Sequence, residues 1–118
     1  MDQLVGFRAM PVHDHLTMPD LPDELLHPLL DLIDRLRQES ADFLDDPGDP
    51  QRWYNRGYAN GMVIALRKLG QGDRLDDRAI DDPVVLGGQI ATPWGKAYEH
   101  GEQMGSRETY EITGTQVP

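Results

Sequence analysis

The chain has no cysteine among its 118 residues. That excludes disulfides, thiolate zinc sites and cysteine nucleophiles, and it fits a reducing compartment. No apolar run approaches the roughly 20 residues that span a bilayer. The start, Met1-Asp2-Gln3-Leu4, lacks the basic stretch and apolar run of a secretory leader. The expectation is a soluble, cytoplasmic protein with no membrane contact. Basic residues are also scarce: 11 Lys and Arg stand against 21 Asp and Glu, a formal net charge of -10. At a Debye length of about 8 Å such a charge repels nucleic acid and anionic lipid at close range. Direct nucleic-acid binding is therefore disfavoured, and a basic protein surface is the favoured counterpart.

Recognised catalytic and metal-binding patterns are missing as well. There is no glycine-rich phosphate loop of the P-loop or dinucleotide type. Gly87-Gly88 ahead of a helix start at Thr92 offers free N–H groups to an anion, but nothing else marks a site there. His13-Asp14-His15 sets two imidazoles on one face of an extended segment, with no third or fourth ligand at a known spacing, and reads as an exposed polar loop. His27 and His100 have no serine or carboxylate arrangement that would make a nucleophilic site. The acid doublets Asp45-Asp46, Asp76-Asp77 and Asp81-Asp82 do not follow the Asp-x-Asp-x-Asp-Gly pattern of a calcium loop. No catalytic residue, metal or cofactor is expected.

What is present is helical patterning. Asp20-Leu21-Pro22-Asp23-Glu24 is a helix start, with a capping side chain, an early proline and acids in the first turn. Leu25, Leu29, Leu32, Leu36 and Phe43 recur on one side, widened by Leu26, Leu30, Ile33 and Leu44. This predicts one long amphipathic helix ending near Asp45-Asp46-Pro47, its wide stripe also suited to a homodimer. Asp49-Pro50 opens a second helix and Gly70 closes it as a left-handed cap. Residues 71–83 are acidic and turn-rich, with one short helical turn expected at 76–80. Thr92-Pro93 starts a third helix that is expected to fray after Gly105. The whole predicts a mostly α, small three-helix domain spanning 1–118. Residues 1–19 are read as an irregular N-terminal segment, and 106–118 either as a free tail or as a short strand in a two-stranded pairing of the chain ends (109–113 with 4–9).

The second and third helices resemble each other. Arg56-Gly57-Tyr58-Ala59-Asn60-Gly61 aligns with Lys96-Ala97-Tyr98-Glu99-His100-Gly101, and Trp53 and Trp94 precede the tyrosines by about a turn. Glycine inside a helix costs roughly 1 kcal/mol against alanine. The pairs Gly57/Gly61 and Gly101/Gly105 therefore need a reason, and close approach of another backbone or a large ring supplies one. The same stretches, Arg56-Gly57-Tyr58-Ala59-Asn60-Gly61 and Trp94-Gly95-Lys96-Ala97-Tyr98, locally resemble ribosome modulation factor and small phage and plasmid proteins with a Gly-Tyr-x-x-Gly helix followed by a tryptophan helix. The resemblance implies a shared two-helix packing unit. That family is basic and binds ribosomal RNA, whereas this chain is acidic and carries a long extra helix in front.

Two functional expectations follow. The first is a non-enzymatic acidic interaction protein, of a phage or mobile-element accessory type, that docks on a basic surface of a host protein through Glu39, Asp42, Asp45, Asp46, Asp49, Asp76, Asp77, Asp81 and Asp82. Between Glu39 and Asp49 there are five acids and no Lys or Arg, a strip able to imitate a phosphate track. The alternative is a nucleotide-binding or sequestering protein. It would use the glycine notch and its neighbours Trp53, Arg56, Gly57, Tyr58, Gly61, Trp94, Lys96, Tyr98 and Gly101.

Overall fold

The computed structural model describes residues 21–82 and 86–115. Three helices make up most of them: α1 (Asp23–Glu39), α2 (Pro50–Lys68) and α3 (Pro93–Thr113). Short 3-10 turns at Phe43–Asp45, Gly72–Arg74 and Gly87–Gln89 lie in the connections. Expectations for residues 1–19, including the strand at 4–9 and the His13-Asp14-His15 triplet, lie outside the described residues.

Local sequence explains the starts of α2 and α3, whereas α1 begins after Pro22 with no side-chain cap in place of the expected aspartate one. Asp49 caps α2 by accepting the Arg52 N–H at 3.2 Å, and Pro50 occupies the first helical position, where no N–H is needed. Thr92 caps α3 through its hydroxyl, which accepts the Gly95 N–H at 3.0 Å, and again proline follows. Both α2 and α3 close on a left-handed glycine, Gly70 (φ 81°) and Gly114 (φ 74°).

Two boundaries depart from the sequence reading. α1 ends at Glu39, well before Asp45. The Ser40 hydroxyl donates to the Leu36 carbonyl at 2.6 Å, and Asp42 takes a left-handed backbone (φ 60°), which swings the chain out of the helix. Phe43 is still buried, but against α2 and α3, with its ring edge-on to Trp53 (4.9 Å) and stacked near Tyr98 (6.0 Å). α3 does not fray after Gly105; it runs on to Thr113, so residues 109–113 are helix and not a pairing strand. Thr109 and Tyr110 are buried on its inner face, Tyr110 against Ala65 and Leu69 of α2, which carries the helix past the point where propensity alone would stop it. Asp76–Ile80, expected as a helical turn, is irregular, and Asp76 is left-handed (φ 54°).

α1 and α2 are antiparallel. Arg74, just past the end of α2, reaches the Leu21 carbonyl beside the start of α1, and Arg52 at the start of α2 reaches the Ala41 carbonyl beyond its end. Leu26, Leu29, Leu30 and Ile33 of α1 pack on Ala59, Met62, Val63 and Leu66 of α2, and Leu75 closes that core. The apolar stripe of α1 is thus largely covered within the chain, while Leu44 lies outside the helix and stays exposed.

α2 and α3 run in the same direction and approach closely. A β-carbon on Gly57 would lie 2.0 Å from the Tyr98 carbonyl oxygen, and one on Gly61 would lie 2.0 Å from that of Glu102. Reciprocally, Gly101 faces the Tyr54 carbonyl at 2.2 Å and Gly105 that of Tyr58 at 2.1 Å. A shift of 44 residues (101 − 57 = 105 − 61 = 98 − 54 = 102 − 58) maps each contact onto its counterpart. The pair is therefore quasi-two-fold. Its register is one helical turn away from the side-chain alignment of Gly61 with Gly101. Residue type favours that alignment, but backbone approach pairs Gly57 with Gly101 and Gly61 with Gly105.

Replacing Gly61 by alanine tests the contact. On an exposed helix this change gains about 1 kcal/mol. Here it drives a methyl into a backbone carbonyl, and overpacking of that kind costs about 1–3 kcal/mol beyond the lost gain. Chemical denaturation should show Gly61→Ala and Gly101→Ala less stable than the parent. A net stabilisation by either would refute the packing.

Candidate functional site

Because α2 and α3 are parallel, the chain from Leu69 to Thr92 must travel back along about 28 Å of helix. It does so clamped by arginines. Arg74 pairs with Asp23, and Arg78 holds Asp34 with two hydrogen bonds of 2.9 and 2.8 Å. Arg37 donates to the Ala79 carbonyl. Arg56 grips Asp81 in a fork, Nε to Oδ2 at 3.0 Å and Nη2 to Oδ1 at 2.7 Å. The Arg56 guanidinium also lies 5.3 Å from the centre of the Phe43 ring, within cation–π range.

Asp81 is the hub of a polar network. The Tyr98 hydroxyl donates to its carboxylate at 2.6 Å. Its own N–H donates to Asn60 Oδ1 at 2.7 Å, and Asn60 Nδ2 donates onward to Glu102 at 2.8 Å. Burial alone would push the Asp81 carboxyl up, but the Arg56 and Tyr98 hydrogen bonds outweigh it and hold it below the ordinary carboxylate range. Burial and the bond to Asp81 push the Tyr98 phenol up, and burial and a hydrogen bond to Glu108 do the same for Tyr58.

Beside this network lies an open cleft of about 300 Å³. From α2 it takes Asn60 and Ile64, one turn apart; from α3, Tyr98, Glu99 and Glu102; from the returning chain, Ile80, Asp81, Leu86 and Ile90. Its walls are apolar and its charge is acidic. Ile80 and Ile90, two of the most exposed large apolar side chains described, form part of its lining. Among the described residues no group of three or more His, Cys, Asp or Glu converges to hold a metal. His27 is exposed, and His100 is exposed with its ring edge-on to Tyr54 at 5.6 Å.

The nine acids singled out from the sequence divide in two. Asp49 is the α2 cap and shares Arg52 with Asp46. Asp76 lies 3.5 Å from Arg78, and Asp81 is internal. Glu39, Asp42, Asp45 and Asp77 are exposed, as are Asp76 and Asp82. The first three fall in the stretch 39–45 that leads out of α1 and also holds exposed Leu44, and among the described residues they form no ion pair.

The residues of the ligand-notch expectation go mostly to packing. The groove made by Gly57, Gly61 and Gly101 is filled by the facing helix backbone. Trp53 is fully buried and donates to the Asp46 carbonyl at 3.1 Å; Trp94 is half-buried and donates to Gln89 at 2.8 Å. Arg56, Tyr58 and Tyr98 are bonded internally to Asp81, Glu108 and Asp81, and Lys96 projects into solvent. Sequence reasoning missed the cleft. It also missed Asn60, Ile64, Ile80, Leu86, Ile90, Glu99 and Glu102 as one lining, because they come from three segments that only the parallel helix pair brings together.

No family model, curated protein or solved structure matches the chain.

Two titrations follow from the network. Asp81 has its pKa lowered on folding, so its stabilising effect is present above the unfolded carboxyl pKa of about 4 and is lost as pH falls through the folded value. Asp81→Asn should cost about 2 kcal/mol at neutral pH, with the gap to the parent closing below pH ~4 in urea unfolding series. A gap independent of pH would contradict the charged pair. At the alkaline end the phenols of Tyr58 and Tyr98 have raised pKa values, so their stabilising effect is intact below the unfolded phenol value of ~10 and is lost as pH rises from there through the folded values. Phenolate absorbance should show these two tyrosines ionising only as the protein unfolds; full ionisation with the helical circular dichroism intact would contradict it.

Proposed function

We propose that this is a non-enzymatic interaction protein whose acidic face at the α1–α2 turn docks on a basic surface of a partner protein. The observation that carries the reading is the direction in which the charges are used. Arg37, Arg52, Arg56, Arg74 and Arg78 all hold parts of the chain together. The carboxylates of Glu39, Asp42 and Asp45 form no ion pair among the described residues and lie in the same short stretch of chain as exposed Leu44. An exposed apolar side chain with unpaired carboxylates near it in the chain is a small docking surface: the charges steer the encounter and the apolar contact slows release.

The net charge of -10 supports the same reading and disfavours RNA or DNA as the partner. The local likeness of the α2 and α3 motifs to small phage and plasmid proteins supports a mobile-element accessory role with a host protein as partner. The absence of cysteine suits work in the cytoplasm.

The test is a pull-down from bacterial lysate at low and high salt. The bait is the parent protein or a Glu39→Lys/Asp45→Lys variant; Asp42 is spared because its left-handed backbone suits aspartate. A partner retained at low salt, lost at high salt and lost with the variant is expected. A partner indifferent to both changes would sink the electrostatic reading.

A further inference from the structure

The cleft between α2, α3 and the returning chain has a composition that selects a ligand class, and it lies apart from the acidic turn. Two kinds of surface meet in it. Ile64, Ile80, Leu86 and Ile90 supply apolar wall, and two of these isoleucines remain more than two-fifths exposed (Ile80 42%, Ile90 46%) with nothing from the described residues covering them. Single exposed apolar side chains are ordinary, but several lining one concavity point to a place where something is bound.

The charge in the cleft is equally selective. Of its three carboxylates, Asp81 is neutralised by the Arg56 fork. Glu102 accepts one hydrogen bond from Asn60 but, like Glu99, is in no ion pair among the described residues. The cleft therefore presents two uncompensated negative charges next to hydrocarbon. An anion is repelled, and a neutral apolar molecule leaves both carboxylates unanswered. A strongly hydrated metal ion gains nothing from the isoleucines. The complement is a cation carried on a hydrocarbon chain. At about 300 Å³ the cleft has room for a short linear molecule, and its carboxylates repel the phosphate of a nucleotide.

We infer that this cleft binds a short linear aliphatic amine, with its ammonium group between Glu99 and Glu102 and its methylene chain against Ile64, Ile80 and Ile90. The ammonium can donate up to three hydrogen bonds, enough to meet both carboxylates.

The probe is n-pentylamine, titrated into the full chain and followed by the methyl NMR signals of the isoleucines and by calorimetry, with n-pentanol as the uncharged control of the same length. Saturable one-to-one binding is expected, shifting Ile64, Ile80 and Ile90 methyls but not Ile33 or Ile112, which lie outside the cleft. Pentanol should bind at least tenfold more weakly. Glu99→Gln, at an exposed position, should weaken pentylamine by about tenfold, and adding Glu102→Gln should weaken it further. The Glu39→Lys/Asp45→Lys variant should bind pentylamine as the parent does, which separates this site from the docking turn. No saturable shift at those methyls, equal binding of pentanol, or full affinity in Glu99→Gln would each overturn the assignment. A blocked lysine tripeptide binding tenfold more tightly than pentylamine would overturn the free-amine assignment in favour of a lysine side chain on a partner.

Discussion

The backbone contact between α2 and α3 is the constraint on which the rest of the structure depends. Four glycines each admit a carbonyl of the facing helix into the space a β-carbon would fill. At that separation the two backbones touch, and weak Cα–H···O contacts become available along the seam. The arrangement is reciprocal under a single shift of 44 residues. One set of side chains thus satisfies both helices, and any bulkier residue at one position breaks its counterpart as well. Parallel neighbours also place like ends of their dipoles side by side, an unfavourable term that the close packing must overcome.

A parallel pair creates a second requirement: the connection has to come back. Here it is an irregular segment, and irregular backbone needs partners for its polar groups. Arg37 and Arg78 meet the Ala79 and Leu75 carbonyls, Asn60 accepts the Asp81 N–H, and the Asp81 side chain, held by Arg56 and Tyr98, is the most heavily bonded point. Using basic side chains internally has an outward consequence. The protein is acidic in composition, and because its ion pairs remove charges of each sign equally, the unpaired charge it presents is acidic. The same returning segment stands off from the helices by enough to leave the cleft, so cleft, acidic surface and helix seam are three results of one topology.

Much of this was readable in the chain. Asp49-Pro50 and Thr92-Pro93 announce helix starts because capping and proline chemistry are local, and Gly70 announces an end for the same reason. The glycine pairs announced close packing because their helical cost demands a return. The end of α1 was not readable. Phe43 keeps the helical phase of Leu36 and is buried in either conformation, so periodicity cannot separate a helical Phe43 from one reached through the left-handed Asp42. Nor was the length of α3: Tyr110 and Ile112 alternate with polar residues as in a strand, and burial of Tyr110 against Ala65 and Leu69 decides otherwise.

By itself the sequence determined the number of helices, where α2 and α3 begin, the excess of negative charge and the lack of catalytic groups of familiar spacing, because each of these is a property of composition or of a few consecutive residues. Tertiary structure alone decided that α2 and α3 run parallel, which glycine faces which carbonyl, and that Asp81 turns inward to Arg56 while Asp45 stays outside. Two aspartates in similar doublets differ only in what distant segments bring to them. The cleft belongs to the same class of fact: Asn60, Ile80 and Glu102 are neighbours solely because a crossover returns between two helices that glycine allows to touch.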